Sequence, residues 1–195
     1  MIARYREFVP RQAEMYKAAG KKFTCEDLVL QVLIDFASQN ELPLSITNGS
    51  GTYRPQDYNS IEDFTNDVLT TSGANDLQEY NNTVKINIDE AASGDIILER
   101  KDGIYGNHAM MIEYTTNISI YTIQGNSNYL NGIYGSSKIL GAGNPSSLFY
   151  CGKLIEIGRI NISSGDYYNY STNIYRKDYV TNKNVEVLRW NFINW

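Results

Sequence analysis

Three observations predict an α+β fold. Apolar residues recur at helical spacing through the first 80 or so positions, and in the second half they alternate with a period of two. The third is the stretch Phe23 to Ala37, where Leu28, Val29, Leu30, Val32, Leu33, Ile34, Phe36 and Ala37 leave almost no polar face. A helix apolar nearly all round must be buried, so this one is expected to be central and to pack on the sheet.

In order, residues 3–19 predict a first helix broken near Pro10, then a turn at Gly20-Lys21-Lys22. Thr24 is the expected N-cap of the central helix, with Asp27 three residues on completing a capping box. That helix runs to about Asn40 and stops before Pro43. Residues 45–60 show no period and read as a loop. Ile61, Phe64, Val68 and Leu69 have helical spacing, and 74–80 adds a short turn. Past Gly94-Asp95, strands are expected at Ile96–Leu98, His108–Tyr114 and Ile118–Gln124, the last two joined as a hairpin through Thr115-Thr116-Asn117. Further strands are expected over Ser147–Ile157 and Val185–Phe192, with a Tyr- and Asn-rich stretch between them. The 195 residues read as one domain, helical over about 1–80 and sheet over about 84–195.

Composition narrows the function. With 17 Lys and Arg against 22 Asp and Glu, the net charge of -5 leaves no basic face for nucleic acid. No apolar run reaches the roughly 18 residues of a membrane span, and the N-terminus has no apolar signal core. Two cysteines do not make a disulfide framework. With a single histidine and no clustered Cys or carboxylates at ligand spacing, neither a metal nor another cofactor is expected.

What remains is a thiol and an imidazole. Cys25 opens the central helix, where the positive end of the macrodipole favours a thiolate, although Glu26 and Asp27 oppose it. A basic partner is needed, and His108 is the histidine the chain offers. A hairpin loop of about two to four residues around Thr116 sets His108 opposite Gln124, Gly125 or Asn126. An amide from Gln124 or Asn126 then accepts from one ring nitrogen, fixes the tautomer and leaves the other nitrogen for a thiol. Cys151 reads as a structural strand residue and Asp95 as the holder of a turn. The tyrosines from Tyr167 to Tyr179 read as an exposed sheet face, with a glycan-binding platform as the functional alternative.

The order of these parts resembles the papain-like amidases of the CHAP and NlpC/P60 type. Cys25 on the central helix, Gly94-Asp95-Ile96-Ile97 before one strand and Asn107-His108-Ala109-Met110-Met111-Ile112 on the next resemble their cysteine helix, Gly-Asp strand and His strand. Ile123-Gln124-Gly125-Asn126 resembles the CHAP pattern of a carboxylate, one spacer and an Asn, with Gln124 in the carboxylate's place. The likeness runs in scattered motifs from Phe23 to Asn128, with 41–90 as an insertion. It implies a papain-like fold, with Cys25 and His108 as the catalytic pair and Asn126, ahead of Gln124, as the residue that orients the imidazole.

The resemblance further implies a thiol hydrolase cutting amide bonds in bacterial peptidoglycan peptides. Without a signal core, such an enzyme needs a non-classical route out of the cell. That suits an antibacterial effector of the type VI or polymorphic-toxin kind, acting in the envelope of a target cell and covered at home by an immunity protein. Two alternatives stay open: a papain-like protease, deamidase or acyltransferase acting on a protein, and a non-catalytic glycan-binding module.

Overall fold

Pro10 does not break the first helix. The computed structural model, which describes residues 1–100, 108–126, 150–182 and 185–192, has α1 continuous over Ile2–Ala18 with Pro10 inside it. Proline removes the amide that would bond the carbonyl four residues back. Here that carbonyl, on Arg6, accepts the Ser93 hydroxyl at 2.8 Å instead, so the lost bond is replaced from outside the helix. Asn107, Asn128 and the start of the strand expected from Ser147 lie outside the described residues.

The central helix α2, Cys25–Gln39, buries Asp27 and every apolar residue from Leu28 to Ala37. Its N-terminus departs from the expected capping box, because the Thr24 side chain makes no cap bond. Tyr150 takes over: its hydroxyl accepts the Thr24 amide at 2.9 Å and donates to Asp27 Oδ2 at 2.6 Å. The capping carboxylate thus reaches back to the orphan amide through a tyrosine hydroxyl. Helix α3, Ile61–Thr71, is capped directly by Ser60, whose hydroxyl accepts the Asp63 amide. The loop expected at 45–60 holds a small hairpin, β2 (Ile46–Asn48) and β3 (Gly51–Tyr53). Strands of three residues are too short to show a period.

The second half builds an antiparallel sheet. Its strands are β4 (Thr83–Ile86), β5 (Ile96–Glu99), β6 (His108–Thr115), β7 (Ser119–Gln124), β9 (Glu156–Asn161), β10 (Tyr167–Asn169), β11 (Ile174–Arg176) and β12 (Val185–Trp190). They lie in the order β11-β10-β9-β7-β6-β5-β12-β4, and every described pairing is antiparallel. The strand latest in sequence, β12, is therefore inserted between β4 and β5. Two short strands, β1 (Lys22–Phe23) and β8 (Lys153–Leu154), pair separately just ahead of α2. The expected strand at Ser147–Ile157 is corrected on this point: Tyr150 and Cys151 lie outside any strand, and pairing starts only around Lys153.

Alternation assigns the two faces. Ile96, Leu98, Ala109, Met111, Ile123, Leu188 and Trp190 join the core built with α1, α2 and α3. Ile97, Met110, Ile112, Ile120, Ile160 and Val187 form a second core on the opposite face, with Tyr167 and Tyr179 of the short helix α4 (Tyr179–Asn182). The Gly94-Asp95 motif is architectural. A Cβ on Gly94 (φ +85°) would stand 2.6 Å from the Tyr5 ring, while Asp95 accepts the Ala92 amide and a two-pronged Arg189 guanidinium at 2.8 and 2.7 Å.

Candidate functional site

The end of β7 is driven into the turn that carries the cysteine. A Cβ on Gly125 would lie 2.0 Å from the Thr24 carbonyl oxygen, so only glycine lets the two backbones meet this closely. The Asn126 amide donates to the Phe23 carbonyl at 3.0 Å, and the Asn126 carbonyl accepts from Lys153 at 2.9 Å. With the Tyr150 hydroxyl on Thr24, these bonds fix the residues just before Cys25.

Cys25 is a free, partly exposed thiol at the first position of α2. Its sulfur donates to Glu26 Oε2 at 2.9 Å. Burial first, and then the Glu26 charge and that hydrogen bond, push the thiol well above its ordinary pKa; the backbone amides of Ala109 and Glu26 pull the other way. The Glu26 part of the opposition that the acidic first turn predicts is thus present, and the hydrogen bond to Glu26 is one that a thiol, not a thiolate, donates. The Ala109 amide places the sulfur against the residue that follows His108.

His108 opens β6 and its partner is Gln124: Nε2 lies 2.9 Å from Gln124 Oε1. The structure thus corrects the choice between the two amides. Extending the β6–β7 register, in which Met111 faces Ile123, puts Asn126 opposite His108, but the imidazole bonds diagonally to Gln124. The Asn126 amide nitrogen points instead to Glu156 Oε1 at 3.4 Å. Diagonal neighbours across a strand pair are within reach of long side chains, and Gln is one methylene longer than Asn.

By alternation His108, Gln124 and Glu156 sit on the face with Met110 and Thr122, away from α2. Cys25 meets β6 from the α2 side, at the level of the backbone. The fold therefore brings the cysteine turn, the start of β6 and the end of β7 together at one end of the sheet, but no hydrogen bond joins Cys25 to His108. Cys151, next to the bridging Tyr150, is also near: burial raises its thiol, and the charges of Asp27 and Glu26 add to the rise.

Sequence reasoning missed Glu156. Its Oε2 accepts the Gln124 side-chain amide and the Asn169 side-chain amide, both at 2.8 Å, and Tyr167 adds a 3.4 Å bond to Gln124 Oε1. The one available signal was the alternation Glu156, Gly158, Ile160, which marks Glu156 as an inward residue; a carboxylate there has no apolar reason to be buried.

A second feature lies on the helix-side face, along the strands toward β11. The pairings put Tyr114, Tyr121, Arg159, Tyr168 and Tyr175 in one row across five strands. Tyr114 and Tyr121 stack at 4.3 Å, and Tyr170 packs edge-on to Tyr168. No helix among the described residues is long and apolar enough to cross a membrane. Searches against models of known protein families, curated proteins and solved structures give no match to this chain.

Proposed function

We propose that this chain is a papain-like thiol hydrolase that cuts an amide bond in a peptide-like substrate, with peptidoglycan peptides as the substrate class. The observation that carries this reading is the convergence on one end of the sheet of a helix-first cysteine and a histidine whose Nε2 is held by an amide. An imidazole bonded through Nε2 keeps Nδ1 as its base. Cys25 attacks the carbonyl as its proton passes to His108, which returns it to the leaving amine, and water then releases the thioester. The Cys25 backbone amide, in the first turn of α2, is aimed at the developing oxyanion. For attack, the thiol must leave Glu26 and the imidazole must swing past the start of β6. Catalytic hydrogen bonds often close only with substrate bound.

Peptidoglycan as substrate, export by a non-classical route as an antibacterial effector, and an immunity protein over the site rest on the resemblance of the motifs to CHAP and NlpC/P60 amidases. The direct test is digestion of purified sacculi with mass analysis of the fragments. Released peptides are expected from the wild type. Cys25→Ala and His108→Ala should each abolish release, and the double variant should be no worse than either, because the two residues act as one unit. Near-full release by both folded single variants would remove the catalytic reading.

The row of tyrosines around Arg159 favours a second reading, a glycan-binding module whose thiol is inert, as its raised pKa allows. Intact sacculi retained by the protein, with no fragment released and with retention lost in Tyr121→Ala, would select it.

A further inference from the structure

Glu156 is a carboxylate only 8% exposed, and among the described residues it forms no ion pair. Three side-chain amides surround it: Gln124 and Asn169 at 2.8 Å, Asn126 at 3.4 Å. Burying a charge without a cation is costly, and amide donors recover only part of that cost. Packing alone would put an apolar residue or a glutamine here. A buried carboxylate held by amides alone, one residue removed from a histidine, calls for an explanation beyond packing.

The geometry shows what that charge does. Gln124 spans the gap between Glu156 and His108, its nitrogen on the carboxylate and its oxygen on the imidazole. Turning the amide over would set its oxygen against the carboxylate, so Glu156 dictates which way Gln124 points. Gln124 Oε1 can only accept, so the imidazole nitrogen facing it must carry the proton. The Tyr167 hydroxyl on the same oxygen agrees with this orientation.

We infer that Glu156 is a positioning residue: through the amide of Gln124 it fixes the tautomer and orientation of His108 with the proton on Nε2. It also supplies, one bond away, the negative charge that a neutral amide beside the imidazole lacks. The kinetic part of this inference rests on the hydrolase reading; the tautomer part does not.

The chain has a single histidine, so its ring can be observed without overlap in nitrogen-15 spectra of the whole protein. At a pH where the ring is neutral, wild type is expected to show one tautomer, protonated on Nε2. Glu156→Gln keeps the shape but removes the charge, which frees Gln124 to turn and should raise the Nδ1-protonated fraction by about 10-fold. Gln124→Leu removes the relay with Glu156 in place and should have the same effect, so the inference stays testable should Glu156→Gln fail to fold. A folded Glu156→Gln or Gln124→Leu protein that retains the wild-type tautomer overturns the inference, as does a wild type protonated on Nδ1. On sacculi, Glu156→Gln is expected to lower kcat by about 10-fold with KM little changed. A tautomer that responds as expected in a wild type without hydrolytic activity would sink the hydrolase reading and leave the role of Glu156 standing.

Discussion

Burial is the first thing that holds the thiol back, and the residue that adds to it is Glu26. It accepts the Cys25 proton at 2.9 Å and adds its charge to the effect of burial. Removing that charge should move the thiol toward its ordinary value. Glu26→Gln is therefore expected to speed alkylation of Cys25 at neutral pH by roughly an order of magnitude, measured by mass with Cys25→Ala as the blank. An unchanged rate would place the suppression in burial alone. The two amides near His108 separate in the same way. Gln124→Ala should cost about 10-fold to 100-fold in turnover of a proven substrate, and Asn126→Ala clearly less, because the imidazole bonds the first and not the second. Equal losses would show that Asn126 acts on the imidazole as well. The sequence put an amide beside the imidazole, and that was legible. Choosing between Gln124 and Asn126 was not, because register fixes which residues are opposite and side-chain length decides which ones touch.

At the level of elements, α2 was legible from its continuous apolar run, but its beginning was not. Tyr150, distant in sequence, replaces the expected cap, and a pattern that looks only within four residues has no access to it. The continuity of α1 depends in the same way on Ser93. Gly125 could be named as the spacer between Gln124 and Asn126, yet its contact with Thr24 belongs to tertiary structure. The capping arrangement has a pH signature. Burial, followed by the Glu26 charge, raises the Asp27 carboxyl above its ordinary value. The folded state then holds this proton more tightly than the unfolded chain does, so stability falls as pH rises from the ordinary carboxylate range through the raised value. Asp27→Asn should lack that slope. Thermal melts of both proteins from mildly acidic to neutral pH should therefore converge toward acid and separate toward neutrality in favour of the variant. Parallel melting curves would mean that Asp27 titrates normally.

Across the whole molecule, the change of period near the middle of the chain announced helices followed by an antiparallel sheet, and this arrangement is present. The order of the strands was not legible, since nothing in Val185–Trp190 says that it pairs between β4 and β5. Long-range order depends on which pairs bury the most surface, and that is a property of the assembled sheet. The first helix and the last strand are tied by Trp190, whose indole N–H donates to the buried Tyr5 hydroxyl at 3.0 Å. Trp190→Phe should cost about 1–3 kcal/mol for the lost bond, besides the smaller ring. Denaturant unfolding monitored by circular dichroism measures it, and a loss near zero would mean that the Tyr5 hydroxyl finds another partner.

The place of β12 also bears on how the protein is made. While a ribosome is still reading the codons for residues 185–190, β4 and β5 are already outside the exit tunnel with an empty slot between them. Neighbouring strands can pair as they emerge, but β4 has no place in the sheet until β12 arrives. Contacts between residues so far apart in sequence close late and slowly. A nascent chain of this protein therefore carries the edge of β5 uncovered from the emergence of that strand until Val185–Trp190 follows, and the arrival of β12 is what lets the sheet close on β4.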